Sequence, residues 1–368
     1  MHKIVIHRPG GYERLKLEQH ADLTPGDSEI LVNVEAIGVN YADCVTRMGL
    51  YASAKHYVGY PITPGFEVAG RVAAIGKNAE NYRVGDRVLA VTRFNGYASQ
   101  VVVPIHQVFQ LPANLSTEAA AGLPTAFLTA WYAVFVQARP ETGASVLVHS
   151  AAGGVGGALV QLCKLAGCRV IAVVGASHKI DTAMAMGADA VIDKSAEDLW
   201  TKAEMLAPDG FSAIFDANGV ATLRQSYEHL APTGRLVIYG FHSMLPLSRN
   251  GGRGRPNWLK LAWAWVRTPR FNPLRLTTEN RSVLGFNLSF LFDKTGMLEH
   301  AMDQLLRWVD QGKIRPLPVT LVPFSRTADA HRVLESGQTQ GKIVLIVDTT
   351  GHKPNDSIPI VEPEPQGV

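Results

Sequence analysis

Cysteine is scarce in this chain of 368 residues, which contains only Cys44, Cys163 and Cys168. An odd and sparse set excludes a disulfide framework and fits a reducing compartment. Long apolar runs are also missing, since none reaches the roughly 18 residues that a membrane-spanning helix needs. The first residues read as a short strand rather than a signal peptide. We therefore expect a cytoplasmic protein.

A strong excess of one charge is absent as well. The chain has 35 basic and 32 acidic residues, for a net charge of +3. Such a balance gives no reason to expect a nucleic-acid partner. With 46% hydrophobic and 18% charged residues, the composition is that of a well-buried globular protein, and its length suits two domains.

The pattern of apolar residues changes along the chain. Residues 1–115 contain short β-rich runs separated by glycine, which is typical of a partly open barrel. From Ser145 onward strands and helices alternate, which predicts a parallel sheet covered on both faces. The fold class is thus α/β, a barrel followed by a Rossmann-type doubly wound sheet. The predicted elements are Ser145–His149, helix Gly154–Ala166, Arg169–Val174, helix Lys179–Met186, Ala190–Ile192, Ala213–Asp216, Leu236–Tyr239, Ser282–Leu288, helix Met297–Asp310, Val319–Val322 and Lys342–Val347.

A glycine-rich turn joins the first of these strands to its helix. In the pattern G-x-G-x-x-G, Ala151 takes the first position and Gly153 and Gly156 take the others. Gly153 lets the backbone approach a pyrophosphate, Gly156 lets the helix pack on the strand, and the helix N-terminus attracts phosphate. The alternative is a small-residue packing turn, but the flanking strand and helix favour a dinucleotide site. Its predicted contacts are Ala151, Ala152, Gly153, Gly154, Val155 and Gly156.

The residues after the second strand indicate which dinucleotide is bound. NAD sites usually carry an acid there for the ribose 2′-OH, whereas this chain has Gly175, Ser177 and Lys179. A hydroxyl and a lysine suit a 2′-phosphate, so we expect NADPH rather than NADH. The alternative is that Ser177 and Lys179 merely open an exposed helix. Two further contacts, Asn218 and Gly240, are expected because they follow strands at the carboxyl edge.

Separated motifs resemble those of the medium-chain dehydrogenase/reductase superfamily. They are Gly-Val-Asn-Tyr-Ala-Asp at 38–43, Pro-Gly-Phe-Glu-Val-Ala-Gly at 64–70, Gly-Asp-Arg-Val at 85–88, the glycine turn, and Gly-Lys-Ile-Val-Leu at 341–345. The turn is similar to that of the quinone oxidoreductase (zeta-crystallin) branch, and Arg-Met-Gly-Leu-Tyr at 47–51 resembles the vesicle amine transport protein homologues. The resemblance implies a GroES-like catalytic domain at 1–123 completed by 289–348, a Rossmann NADPH-binding domain at 124–288, and a flexible tail at 349–368.

The zinc ligands of this superfamily are missing from the chain. Where the resemblance places a ligand cysteine and histidine, the chain has Asn40 and Phe66. Phenylalanine cannot bind zinc, and asparagine replaces thiolate poorly. No cysteine lies between Cys44 and Cys163, so the chain lacks the four closely spaced cysteines of a structural zinc lobe. We expect no metal, and without a Lewis acid alcohol oxidation becomes unfavourable.

The resemblance also implies which residues meet the substrate. Asn40, Asp43 and Tyr51 lie on a loop that faces the nicotinamide in this family, and Thr129 matches a threonine that packs on the nicotinamide ring. Asn40 is a candidate donor to an enolate oxygen. Tyr51 is a candidate general acid, with a packing or cofactor-contact role as the alternative.

A basic aromatic segment spans residues 249–281. It contains one acid, Glu279, and eight basic residues, Arg249, Arg253, Arg255, Lys260, Arg267, Arg270, Arg275 and Arg281. Helical spacing of Trp258, Leu261 and Trp265 suits an anionic membrane surface or a partner. The alternative, favoured by interrupting prolines, is an insertion over the substrate cleft whose tryptophans are buried against the barrel.

These features predict a zinc-independent, NADPH-dependent oxidoreductase. Its expected substrate is small, hydrophobic and electron-poor, a quinone or an α,β-unsaturated carbonyl. The alternative is an NADPH-binding adaptor at a membrane surface with little turnover. The strand Ser282–Leu288 could extend the sheet into a homodimer.

Overall fold

The computed structural model describes residues 1–242 and 258–348, and the chain divides into two compact units. Within these residues the first unit comprises 1–124 and 318–348, and the second 125–242 and 258–317. The flexible tail predicted at 349–368 lies outside the described residues.

The chain re-enters the first unit at Pro318, so the boundary predicted at residue 289 is wrong. Residues 289–317 belong to the second unit because a long helix there packs on that unit's own aromatic residues. Trp131 Nε1 donates to Gln304 Oε1 over 2.6 Å, and the rings of Phe135 and Trp308 lie 5.6 Å apart.

The first unit is built on an antiparallel sheet of seven strands. Their order is β14-β15-β3-β4-β5-β7, with β6 also paired to β3, and only β14 and β15 run parallel. The path does not close among the described strands, as in a partly open barrel. The strands are β1 His2–Val5 and β2 Lys16–Gln19, which pair separately, and β3 Glu29–Val39, β4 Glu67–Ile75, β5 Arg87–Val91, β6 Gln100–Pro104, β7 Val108–Gln110, β14 Val319–Pro323 and β15 Lys342–Ile346.

The core of this unit lies inside the curved sheet. The long strand β3 contributes Ile30, Val32 and Val34, whose alternation directs every second side chain into the core. Four helices complete the unit: α1 Tyr41–Arg47, α2 Ala52–Tyr57, α3 Thr117–Ala121 and α12 Thr327–Glu335.

The second unit is a parallel sheet of six strands. Their order is β10-β9-β8-β11-β12-β13, so the chain winds outward from β8 in both directions, as in Rossmann folds. The strands are β8 Ser145–Val148, β9 Arg169–Val174, β10 Ala190–Asp193, β11 Phe211–Asp216, β12 Leu230–Ile238 and β13 Ser282–Gly285. The helices are α4 Pro124–Trp131, α5 Gly154–Leu165, α6 Ile180–Ala185, α7 Leu199–Leu206, α8 Leu223–Glu228, α9 Trp258–Arg267, α10 Pro273–Glu279 and α11 Thr295–Asp310.

Sequence periodicity predicted most of these elements within a few residues. The sheet confirms β9 at Arg169–Val174 and the helix after the glycine turn. Pro124 begins α4, a position at which proline is tolerated because the first helical turn does not need its N–H. The strand predicted at Ser282–Leu288 is an edge strand but ends at Gly285.

The tryptophans of α9 are exposed, so the prediction that they are buried against the barrel is wrong. Trp258, Trp263 and Trp265 have exposed fractions of 67%, 60% and 76%. Among the described side chains of the helix only that of Ala264 is buried, so this small residue and not the indole rings faces the rest of the unit. Residues 249–257 of the basic aromatic segment lie outside the described residues.

Candidate nucleotide site and polar cluster

The glycine turn closes tightly between β8 and α5. Ser150, at a φ of 55°, accepts a hydrogen bond from Gly153 N–H over 2.9 Å. A Cβ atom at Gly156 would lie 2.1 Å from Ser150 O, closer than any side chain allows. Glycine is therefore required at this position for the helix to pack against the turn, as the sequence pattern predicted.

The turn offers a surface that fits a dinucleotide. Ala151 and Ala152 are buried beneath it, whereas Gly153, Gly154 and Val155 remain half-buried. The first N–H groups of the 12-residue helix α5 have no intrahelical acceptor, and they carry the positive end of the helix dipole. Such a helix start is suited to binding phosphate.

A second side of the site is held by Asp216 at the end of β11. Its carboxylate accepts from the Asn218 and Gly219 N–H groups and from the hydroxyls of Thr222 and Ser226. Asn218 Oδ1 accepts from Ser150 Oγ over 3.1 Å. Asn218 Nδ2 is buried and has no hydrogen-bond partner among the described residues. A buried donor of this kind fits a ligand that brings an acceptor.

The structure also places Gly240, His149 and Thr129. Gly240 follows β12, and a Cβ there would lie 3.1 Å from Ala217 Cβ, so the two strand ends approach closely. His149 is buried with Nε2 3.1 Å from Ser226 Oγ, and burial lowers its pKa. Thr129 Oγ1 donates to Thr125 O over 2.7 Å, so its hydroxyl bonds within α4, and its predicted nicotinamide contact stays a prediction.

The end of β9 forms a basic corner. Gly175 and Ser177 are exposed here, and a Cβ at Gly175 would lie 3.5 Å from Lys194 Cε. Burial, and then the positive charge of Lys194, lower the pKa of Lys179 to about 8. Two lysines so close together suit a doubly charged anion.

The sequence analysis missed two residues of this corner, both from β10 and its end. Lys194 follows the strand, and Asp193 Oδ2 accepts from Ser177 Oγ over 2.6 Å. An acid is thus present, although the pattern after β9 contained none. Ser195 also donates to Asp193 through both its N–H and its hydroxyl. These bonds lower the pKa of Asp193, and a neighbouring parallel strand ending beside β9 is the signal that could have found it.

In the first unit, Asn40 belongs to a buried polar cluster. Its Nδ2 donates to Glu67 Oε1 over 2.8 Å, and its Oδ1 accepts from Lys342 Nζ over 2.8 Å. Lys342 Nζ also donates to Glu67 Oε1 at 2.7 Å and to Val39 O at 2.9 Å. The sequence predicted Asn40 but neither charged partner, since Lys342 comes 302 residues later.

Asp43 lies directly beneath Asn40 and is completely buried. It accepts from the N–H groups of Asn40 and Gly65 and from Tyr97 Oη, at 2.8, 2.9 and 3.1 Å. Burial raises its pKa to about 7, against these hydrogen bonds, which lower it. The contacts favour a positioning role for Asp43, and its direct participation in catalysis stays a prediction.

Phe66 and Tyr51 meet in an aromatic cluster with Phe94. The ring of Tyr51 lies edge-on to Phe66 at 5.8 Å and to Phe94 at 6.3 Å. Phe66 is buried. The two positions at which the superfamily carries zinc ligands therefore hold an apolar ring and an amide beside an ammonium group, a donor set that does not fit zinc.

A second group of potential ligands contains Cys44, His331 and Glu335, which lie close enough to share an ion. The Arg47 guanidinium instead bonds to His331 Nδ1 at 3.1 Å and to Glu335 Oε1 at 2.8 Å. Burial raises the pKa of the Cys44 thiol well above its usual value, so thiolate is disfavoured. Arginine thus supplies the positive charge that a metal would bring.

The surface of α9 is the remaining feature of interest. Its exposed apolar residues are Trp258, Leu259, Trp263, Trp265 and Val266. Arg267 and Arg270 nearby are also exposed. Within 1–242 and 258–348, no helix combines the length and apolarity needed to cross a bilayer.

Comparison with known proteins agrees with both units. The alcohol dehydrogenase GroES-like domain family matches residues 26–113, and the zinc-binding dehydrogenase family matches 186–345. The human synaptic vesicle membrane protein VAT-1 homolog is 31% identical over 345 residues, which cover 93% of this chain and 86% of the relative.

Solved structures give the same result. The human synaptic vesicle membrane protein VAT-1 homolog-like protein superposes with a TM-score of 0.79 at 27% identity, covering 95% of this chain and 99% of the other. The Escherichia coli quinone oxidoreductase complexed with NADPH gives a TM-score of 0.80 at 27% identity, covering 94% and 100%. The chain therefore belongs to the medium-chain dehydrogenase/reductase superfamily and, within it, to the quinone oxidoreductase-like branch that includes the VAT-1 homologues.

Proposed function

We propose that this protein is a zinc-independent, NADPH-dependent reductase of quinones or α,β-unsaturated carbonyls. The observation that carries the proposal is the cradle formed by the glycine turn and the unpartnered Asn218 Nδ2, in the same unit as the basic corner of Lys179 and Lys194. These are the features that a phosphorylated dinucleotide requires.

Different residues of the second unit would bind different parts of the cofactor. The N–H groups of residues 154–156 would bind the pyrophosphate, and Lys179 and Lys194 would bind the 2′-phosphate. Asn218 Nδ2 would donate to a polar group of the nucleotide. When bound, NADPH supplies a hydride, which is a proton with two electrons. The acceptor then takes up one further proton from another source.

Zinc independence is supported by the donor set of the first unit. Asn40 Oδ1 already accepts from the Lys342 ammonium, and Phe66 is packed against other rings. Without a Lewis acid the acceptor must be electron-poor beforehand. Quinones and enones meet this condition, because their new charge develops on an oxygen that a hydrogen-bond donor can stabilise.

In this proposal Asn40 stabilises the acceptor oxygen and Tyr51 donates a proton to enone substrates. Asp43 holds the backbone of Asn40, and Thr129 packs on the nicotinamide. The E. coli relative, whose structure contains NADPH, supports the choice of cofactor at 27% identity.

A turnover screen tests the proposal. Purified protein would be given NADPH or NADH with 1,4-naphthoquinone and cyclohex-2-enone, and nucleotide oxidation would be followed by absorbance. We expect turnover with NADPH and much weaker turnover with NADH. Equal use of NADH contradicts the cofactor assignment, and stoichiometric zinc by elemental analysis contradicts the metal assignment.

A second candidate function is that of an NADPH-binding adaptor at an anionic membrane surface, with little or no turnover. The exposed apolar face of α9 supports it, because indole rings beside arginines suit the headgroup region. Sedimentation with phosphatidylserine vesicles tests this function, with phosphatidylcholine vesicles and Trp263→Ser as controls. Salt-sensitive sedimentation without turnover on any acceptor would favour the adaptor over the reductase.

We also propose a homodimer formed through β13, which is an edge strand of the six-stranded sheet. Open edges pair readily with another strand. Light scattering on the purified protein gives the mass, and a monomeric mass at micromolar concentration excludes this assembly.

A further inference from the structure

We propose that Glu67 and Lys342 are positioning residues that hold the Asn40 carboxamide in a single orientation, as a hydrogen-bond donor to a carbonyl oxygen. The inference rests on the proposed function for the class of acceptor. It adds the specificity of the site: the ligand atom beside Asn40 is one that accepts a hydrogen bond.

The charges around the amide determine which way it faces. Lys342 Nζ lies 2.8 Å from one end of the amide and Glu67 Oε1 lies 2.8 Å from the other. A flipped amide would place its NH₂ group against an ammonium and its oxygen against a carboxylate. Both contacts would be repulsive, and the low exposure of Lys342 (4%) and Glu67 (0%) weakens solvent screening of that repulsion.

Among the hydrogens of Lys342 Nζ and Asn40 Nδ2, one remains as a donor for a ligand. The three hydrogens of Lys342 Nζ are taken by Val39 O, Asn40 Oδ1 and Glu67 Oε1. An amide nitrogen carries two hydrogens, and Glu67 takes one from Asn40. The other Nδ2 hydrogen has no partner among the described residues, and Asn40 is partly exposed.

The backbone of Asn40 is held just as firmly. The Asp43 carboxylate accepts hydrogen bonds from the N–H groups of Asn40 and Gly65. These two bonds join the loop before Glu67 to the loop that carries Asn40. Behind Asp43, Arg47 donates to His331 Nδ1, so the neutral imidazole carries its hydrogen on Nε2 and donates to Tyr97 Oη at 3.2 Å. Tyr97 in turn donates to Asp43.

A donor fixed in this way requires no reorganisation when charge develops on the acceptor oxygen. The ion pair acts through Asn40, since all the hydrogens of Lys342 are already used. The Asn40 amide is therefore matched to quinone and enone oxygens. Glu67 and Lys342 contribute to the rate only while this amide is present.

A double-mutant cycle tests this dependence. Glu67→Gln with Lys342→Met removes both charges together, so that neither is left buried alone, and glutamine still accepts from Asn40. We expect Asn40→Ala to lower kcat with 1,4-naphthoquinone about 100-fold, and the paired variant to lower it roughly tenfold with an unchanged KM for NADPH. In the Asn40→Ala background the paired change should cost less than about twofold, because coupled residues are not additive.

Two controls separate positioning from folding. Lys342→Arg keeps the charge and should retain most of the activity. Lys77→Met with Asp27→Asn removes an exposed ion pair of the same unit and should leave kcat unchanged. If the losses from Asn40→Ala and from the paired variant simply multiply, the ion pair acts independently of the amide and the inference is overturned.

A binding measurement distinguishes failure of this inference from failure of the proposed function. With NADP⁺ in place of NADPH no hydride can be transferred, and the affinity for cyclohex-2-enone can be measured by titration. We expect about fivefold weaker binding in both the Asn40→Ala and the paired variant, the value of a single neutral hydrogen bond. Equal affinity in all variants overturns the inference, whereas weakened binding in a protein that turns nothing over overturns only the reductase function.

Discussion

Ser177 donates a 2.6 Å hydrogen bond to Asp193, across the ends of the neighbouring strands β9 and β10. Together with the two hydrogen bonds that Ser195 donates, this bond gives both carboxylate oxygens of Asp193 a donor. The carboxylate is therefore held by its own neighbours, and Lys179 and Lys194 are the basic groups of this corner.

Removing either lysine should change the choice of nucleotide. We expect Lys194→Ala or Lys179→Ala to raise the KM for NADPH roughly tenfold, because a charge-assisted hydrogen bond to the 2′-phosphate is lost. The KM for NADH should change less than about twofold, since NADH lacks that phosphate. Steady-state kinetics with both nucleotides measure the effect, with the surface change Lys202→Ala as control. Equal changes for the two nucleotides would mean that the corner does not bind the phosphate.

The pKa of Lys179 predicts a pH dependence. This pKa is lowered from 10.5 to about 8, so the ammonium loses its proton as the pH rises through 8. A 2′-phosphate is fully charged above pH 7, and its affinity should therefore fall between pH 7.5 and 9 while that of NAD⁺ does not. Calorimetric titration of NADP⁺ and NAD⁺ across this range tests the prediction. Lys179→Arg should abolish the dependence, because arginine stays protonated; a dependence that survives would assign it to another group.

The glycine turn should not tolerate a methyl group at its third position. Gly156→Ala would place Cβ 2.1 Å from Ser150 O and 2.7 Å from Ser150 C. Backbone atoms must then move, and we expect a stability loss of about 1–3 kcal/mol with at least tenfold weaker NADPH binding. Thermal melting and fluorescence titration measure both effects. Gly296→Ala, where nothing lies within 4 Å, is the matched control; similar behaviour of the two variants would show that the turn is not constrained.

The role of Tyr51 can be tested by comparing acceptors. Tyr51→Phe keeps the ring contacts with Phe66 and Phe94 and removes only the hydroxyl. If Tyr51 is the general acid, kcat for cyclohex-2-enone should fall about 100-fold. Reduction of 1,4-naphthoquinone should be little affected, because the hydroquinone oxygens can take protons from water. A small and equal effect on both acceptors would assign Tyr51 a packing role.

The buried pair of Arg47 and Glu335 should be costly to break. Both side chains are completely buried at 2.8 Å. Arg47→Met leaves the Glu335 charge uncompensated, and we expect a loss of about 3–5 kcal/mol in the free energy of unfolding, with partial recovery when Glu335→Gln is added. Urea denaturation gives these values. Arg224→Met breaks an exposed pair and should cost less than about 1 kcal/mol; a comparable loss there would contradict the argument from burial.

Local patterns predicted much of the second unit. The run from Ser145 to Leu165 contains strand, turn and helix in succession, and the residue types of each element follow a local pattern. Gly156 was predictable for the same reason, because its constraint comes from Ser150, six residues earlier. The absence of zinc ligands at Asn40 and Phe66 could likewise be read directly from residue types.

The exposed face of α9 and the domain boundary could not be predicted as well from the sequence. The spacing of tryptophans in α9 indicated an amphipathic helix but not which way it faces, since that depends on what lies beneath Ala264. The return of the chain at Pro318 depends on contacts such as that of Gln304 with Trp131, which join residues 173 positions apart. Periodicity contains no information on such contacts.

The sequence by itself determined the two-unit fold, the dinucleotide turn and the loss of the zinc ligands, because each depends on residue type within a short stretch of chain. Tertiary structure alone decided how the basic corner and the surroundings of the Asn40 amide are built. Asp193 and Lys194 reach Ser177 because parallel strands end at one edge of the sheet, and Lys342 reaches Asn40 because β15 pairs with β3. Charged residues that are distant in sequence come together only when strands pair. The pairing of β15 with β3 thereby determines the direction in which the Asn40 amide can donate.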